Sequence, residues 1–239
     1  MSNLDISEKR LPQDGKIKFR DYGPLDIELR VATIPTQGGV EDCVMRILAG
    51  SVPLPLDKMG FMPDVYERFV GSVNQPYGLV LVCGPTGSGK TTTLHSALGF
   101  INKPDRKIWT AEDPVEITQS GLRQVQVKAK IGLTFARCMR AFLRADPDII
   151  MVGEMRDHES ASTAIEASLT GHLVLSTLHT NSAAASIDRL RDMDMDPFNF
   201  ADAMIGVLSH RLTKMVCTSC KEADTPETPE REFIATAYR

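Results

Sequence analysis

Apolar residues follow two patterns along this chain. In the first part they alternate with polar ones: Asp26-Ile27-Glu28-Leu29-Arg30-Val31-Ala32 has the period of two expected of a half-buried strand. This strand-like character runs from Ile17 to Leu48, with Val44–Leu48 as a further strand. Pro53 and Pro55 punctuate the chain, and Asp64–Val73 has the make-up of a short helix. After Pro76 the pattern changes. Leu79-Val80-Leu81-Val82-Cys83 is continuously apolar, which marks a strand buried on both faces. Helical residues follow at Thr91–Phe100, then a strand near Ile108–Ala111, a helix over Phe135–Arg144 and a second fully apolar strand, Ile149–Val152. A helix from Glu159 to Leu169 leads to a strand at Leu173–Ser176, and two more helices are expected between Ala183 and Leu208. Buried strands alternating with helices predict an α/β fold whose mostly parallel sheet is covered on both sides. The polar, proline-bearing stretch from Lys221 to Arg231 reads as a linker.

Composition adds bounds. The chain has 239 residues, 42% hydrophobic and 24% charged, with net charge −4. It is long enough for a sizeable core and one or two domains. The mild acidity gives no electrostatic ground for a nucleic-acid partner. Met1 is not followed by a basic and then apolar leader, and the longest apolar run, Gly78–Gly84, is too short to span a bilayer, so a cytoplasmic location is expected. Of five cysteines, Cys43, Cys83 and Cys138 read as small buried hydrophobes, while Cys217 and Cys220 form a C-x-x-C.

The sharpest chemical signal follows the first buried strand. Gly84-Pro85-Thr86-Gly87-Ser88-Gly89-Lys90-Thr91 is a complete G-x-x-x-x-G-K-[ST], with Thr92 next. Its glycines let backbone N–H groups surround phosphate oxygens. Lys90 reaches the β- and γ-phosphates, Thr91 offers a hydroxyl to Mg²⁺, and the helix that begins there turns its positive dipole end to the nucleotide. ATP and Mg²⁺ are therefore the expected cofactors.

A second apolar strand ends in Gly153-Glu154, where an ordinary Walker B strand would end in a Mg²⁺-holding aspartate. Glu154 is a candidate to polarise the attacking water. Glu112, Asp113 and Glu116, clustered after the strand near Ala111, could compensate for the missing aspartate; a solvated acidic turn is the alternative.

These motifs resemble one family closely, the type II secretion and type IV pilus ATPases of the GspE–PilB–PilT group. The resemblance rests on the P-loop continued through Thr92-Thr93-Leu94 and on the acidic box Thr110–Glu116. It rests further on the atypical Walker B run Asp146–Asp157, glycine included, and on the histidine box Thr170–Asn181. It covers roughly Leu4 to Lys221. It implies a RecA-like P-loop NTPase domain over residues 56–221, preceded over 1–55 by part of an α+β, PAS-like second N-terminal domain and followed by a truncated linker at 222–239. It also implies a hexameric ring that hydrolyses ATP to ADP and phosphate at subunit boundaries. That ring would sit peripherally at the inner face of the cytoplasmic membrane and move a platform protein there.

Within that picture Lys90 and Thr91 hold phosphate and Mg²⁺, Glu154 is the catalytic glutamate, and His179 approaches the γ-phosphate. Arg30 and Arg46 match arginines of the second N-terminal domain that reach the nucleotide; surface salt bridges on strands are the alternative for both. His172 is open between a catalytic role and a cap. The secretion and assembly branches complete a zinc site with a second C-x-x-C downstream. No Cys or His follows Cys220 here, so half of a zinc site, empty in this chain, is expected, and the chain reads as a fragment. A retraction motor, a nucleotide switch without turnover and a DNA-handling ATPase are the rival readings.

Overall fold

From Gly78 onward the chain passes repeatedly between strand and helix, because each wholly apolar strand hides both its faces under helices. The computed structural model describes Ser2 and residues 4–25, 27–49 and 53–222. Asp26, placed above at the start of a strand, and the tail beyond Glu222, read above as a linker, lie outside the described residues.

The N-terminal strands β1 (Gln13–Lys18), β2 (Ile27–Pro35) and β3 (Glu41–Ala49) form an antiparallel sheet in the order β1-β2-β3. Among its described residues the one helical element is the 3-10 turn Phe19–Asp21. Cys43 is exposed, contrary to the expectation of burial: β3 is an edge strand, and its neighbours Val44, Met45 and Ile47 are exposed as well.

The second sheet is built from β4 (Gly78–Cys83), β5 (Ile108–Glu112), β6 (Leu122–Gln126), β7 (Ile149–Val152), β8 (Leu173–Leu178) and β9 (Met204–Ser209). Their order is β6-β5-β7-β8-β4-β9, and every pair is parallel. The helices are α1 (Pro63–Val73), α2 (Lys90–Ile101), α3 (Phe135–Phe142), α4 (His158–Leu169), α5 (Ala183–Asp192) and α6 (Pro197–Ala203). The second of the two helices expected before Leu208 stops at Ala203. Met204–Ser209 is instead a strand, paired along β4, and β6 is a strand the apolar pattern did not predict.

The period of two sorts β4 between two cores. Leu79, Leu81 and Cys83 pack with Ile150, Val152 and Val174 against the side that carries Met139, Phe142, Ala164 and Leu190. Val80 and Val82 pack with Ile149, Met151 and Leu175 against Phe69, Val73, Leu94 and Leu98 of α1 and α2. All sixteen residues of β4, β7 and β8 are buried, the sum of six, four and six. Capping fixes where helices begin: Asp157 and Ser160 form a capping box at α4, Ser182 accepts from Ala185 N–H at α5, and Asp196 caps α6. His172, left open by the sequence, closes the far end of α4: its Nδ1 lies 3.0 Å from the Ala167 carbonyl.

The sheet's centre sets the stability. Leu81 is fully buried in β4, and Leu81→Ala should cost about 2–5 kcal/mol in urea denaturation, since a cavity would remain between two rigid layers.

Candidate nucleotide site

All six parallel strands end at the same edge, and the loops leaving β4, β5, β7 and β8 enclose a cleft of about 540 Å³. The P-loop leaves β4 at Gly84, whose φ is +153°. A Cβ there would lie 2.4 Å from the His210 carbonyl and 2.6 Å from Ser88 Oγ, so only glycine lets the loop turn beneath the chain leaving β9. The loop then delivers its backbone to the start of α2, whose first turn contains no acid to oppose an anion.

Lys90 is buried, 7% exposed, and its Nζ donates to the carbonyls of Gly84 at 2.9 Å and Pro85 at 3.0 Å. Burial pushes its pKa down and the Glu154 carboxylate pulls it back up, with burial the larger effect. From Lys90 a row of polar groups crosses the cleft. Lys90 Nζ lies 3.5 Å from His179 Nδ1, and His179 Nε2 lies 3.3 Å from Glu154 Oε1. Arg156 Nε donates to Glu154 Oε2 at 2.7 Å, and Arg156 Nη1 lies 3.6 Å from Asp113. The hydrogen bond to Glu154 is the main reason the Arg156 pKa is raised. Both oxygens of Glu154 are thus held, one from each side.

Glu112 stands at the end of β5, 3% exposed. Burial alone would raise its pKa, but hydrogen bonds from His95, Gln124 and Thr110 outweigh it and lower the pKa overall. Asp113 and Glu116 line the same cleft from exposed positions.

Gly153 explains the departure from an ordinary Walker B strand. Its N–H donates to the Ala111 carbonyl at 2.8 Å, and a Cβ at this position would come within 3.3 Å of that same oxygen. The ladder between β7 and β5 would have to give by a few tenths of an ångström to admit a side chain there.

The N-terminal sheet reaches the cleft with one face. Lys16, Arg30 and Arg46 stand opposite one another in register across β1, β2 and β3. Lys16 Nζ donates to the Val115 carbonyl in the acidic turn, and Lys130 Nζ to the Pro12 carbonyl at 3.3 Å. Arg46 lines the cleft. Arg30 does not: its guanidinium lies 3.4 Å from Asp14 of the neighbouring strand, the salt-bridge alternative.

The structure therefore brings together Thr86, Gly87, Gly89, Lys90, Thr91, Thr92, Glu112, Glu116, Glu154, His179 and Arg46. Sequence reasoning missed Arg156, Asp113 as its partner, Thr177 and Leu212, which also line the cleft. Arg156 could have been suspected from its place two residues past Glu154, in the turn that caps a buried strand.

The residues suit a nucleotide. Thr86, Gly87, Gly89 and Lys90 line the cleft, so the loop and its lysine border the space a phosphate would take. The Thr91 hydroxyl and the surrounding carboxylates are the hard oxygen donors that Mg²⁺ takes. Zinc is different. Cys217 and Cys220 are exposed, and the Cys217 thiol is lowered mainly by the Ser219 backbone N–H. Two sulfurs are half of a structural zinc set, and among the described residues no third metal-ligating side chain joins them. The residues present do not fit a closed zinc site. No helix among the described residues is long and apolar enough to cross a membrane.

Comparison with known proteins places the chain in a family. A family model described as type II/IV secretion system protein matches residues 1–238. The chain is 53% identical over 228 residues to a type IV pilus assembly ATPase PilB of Thermus thermophilus, covering 95% of this chain and 25% of that protein. It is 53% identical to the type II secretion system protein HxcR of Pseudomonas aeruginosa, covering 92% of this chain and 47% of the relative. The type II secretion system ATPase E of Vibrio cholerae is 46% identical over 98% of the chain and 46% of its own length. The chain thus spans about a quarter to a half of these curated relatives. Among solved structures, the pilus retraction motor PilT with bound ADP superposes with a TM-score of 0.71 at 33% identity, over 84% of this chain and 59% of that one. The ATPase DotB of Legionella pneumophila does so with 0.65 at 29%, over 81% and 56%.

Gly153→Ala should destabilise the protein by about 1–3 kcal/mol, because the Ala111 carbonyl cannot retreat without stretching its ladder hydrogen bond. Thermal melting of the variant beside wild type measures this.

Proposed function

Because the chain belongs to the type II/IV secretion system protein family, we propose that it is the ATP-hydrolysing core of a motor for protein secretion or pilus assembly. The observation that carries the reading is the row from Lys90 through His179 and Glu154 to Arg156, laid across a phosphate loop. The phosphates would lie on the Gly84–Thr91 backbone and the α2 terminus, with Lys90 exchanging its loop carbonyls for phosphate oxygens. Mg²⁺, held through Thr91 and nearby carboxylates, would neutralise charge on the transferring phosphoryl group. Glu154 is fixed by Arg156 and His179 with its carboxylate toward the cleft, where it can orient a water and accept its proton. Arg46 brings a cation from the other sheet to the same space. Nucleotide turnover would then alter how the two sheets sit on each other, a rigid-body switch between two domains.

In the full-length protein we place this core in a hexameric ring on an inner-membrane platform protein, at the inner face of the cytoplasmic membrane. Identity to both PilB and the secretion ATPases, together with the Cys217–Cys220 pair, supports the assembly or secretion branch over retraction.

In full-length protein, Lys90→Ala should abolish nucleotide binding. Glu154→Gln should still bind ATP but lose about 10²–10⁴-fold in phosphate release. Wild type that binds ATP without releasing phosphate would leave a switch, not a motor.

A further inference from the structure

The imidazole of His95 takes no part in the chemistry above, yet it is wholly buried beside the cleft. It stands on α2 four residues past Thr91, one turn deeper on the same helix face. Its Nε2 lies 3.1 Å from Glu112 Oε2. On its other side Nδ1 lies 2.8 Å from Gln119 Nε2, and that amide nitrogen also donates to the His95 carbonyl at 2.9 Å. An amide nitrogen can only donate, so Nδ1 accepts and the single ring proton sits on Nε2, facing Glu112.

Glu112 is held equally firmly on its other oxygen. Thr110 Oγ1 donates to Oε1 at 2.6 Å, and Gln124 Nε2 donates to the same atom at 3.0 Å. Gln124 is fixed in turn: its Nε2 donates to the Ile117 carbonyl at 2.7 Å, and its Oε1 accepts the Gln119 N–H at 2.8 Å. The hydrogen bonds therefore close a ring, from His95 to Glu112 to Gln124 to Gln119 and back. It ties the phosphate-binding helix to β5, β6 and the loop between them.

A buried network has every reason to be complete when one member must stay charged. Glu112 is that member, and it lines the cleft that holds Lys90 and Glu154. We propose that His95, fixed as its Nε2–H tautomer by Gln119, is a positioning residue for hydrolysis: it keeps the Glu112 carboxylate set at the cleft floor. The inference rests on the cleft being the ATP site. A ring that merely filled space would serve stability alone and would not distinguish turnover from binding.

The test uses full-length protein, with phosphate release and binding of a fluorescent ADP measured on wild type, His95→Phe and His95→Gln. Phenylalanine keeps the volume but offers no donor. Glutamine can place an amide N–H where the imidazole Nε2–H was. His95→Phe should lower kcat about tenfold or more, while the KM for ATP and the ADP affinity change by less than about twofold. His95→Gln should recover most of the lost kcat. Wild-type kcat in His95→Phe, or His95→Gln as impaired as His95→Phe, overturns the inference. Should His95→Phe fail to fold, Gln119→Leu replaces it: the tautomer is then released, and kcat should fall several-fold with ADP affinity kept. Unchanged kcat there overturns the inference too. Wild type that releases no phosphate overturns the ATPase reading and this one with it; active wild type with an unimpaired His95 variant overturns only this one.

Discussion

Everything in this molecule hangs on six strands that run the same way. Parallel pairing sends each strand's carboxyl end to one edge, so the residues that follow β4, β5, β7 and β8 meet without any long excursion of the chain. The cost is that both faces must be covered, since a parallel sheet is bridged by helices on each side. Two separate cores result, one under α1 and α2 and one under α3 to α6. The chemistry is placed by this covering. Lys90 and Thr91 are where they are because α2 must begin at the edge and run back over Val80 and Val82.

The cleft is arranged by alternation of charge. Lys90, Glu154, Arg156 and Asp113 follow one another with opposite signs, and His179 stands between the first two. Each charge is adjacent to one that lowers the cost of its partial burial. The N-terminal sheet meets the acidic turn through Lys16, whose Nζ donates to the Val115 carbonyl.

Much of this was legible in the amino-acid sequence, and what was not has a common cause. The P-loop, β4, β7 and β8 announce themselves locally, because a glycine-rich turn or an all-apolar run has few other uses. Met204–Ser209 carries the same kind of apolar run, but it follows α6 directly, and only its pairing with β4 makes it a strand. Leu122–Gln126 is half exposed at the sheet edge, with no strong pattern to give it away. Of two arginines at equivalent positions, Arg46 reaches the cleft and Arg30 turns to Asp14, a choice made by a neighbouring strand that no local motif encodes. His95 hides for the same reason: inside a helix it is one more residue, and its meaning comes from Glu112, Gln119 and Gln124, far along the chain. Motifs report backbone requirements, whereas side-chain partnerships are settled by tertiary packing.

Gly153 shows how a backbone contact bears on the placing of an acid. A Cβ there would stand 3.3 Å from the Ala111 carbonyl, and the carboxylate that reaches the cleft belongs to the next residue, Glu154. A side chain placed at 153 would press on the strand beside it, so the ladder itself resists moving the acid back by one residue.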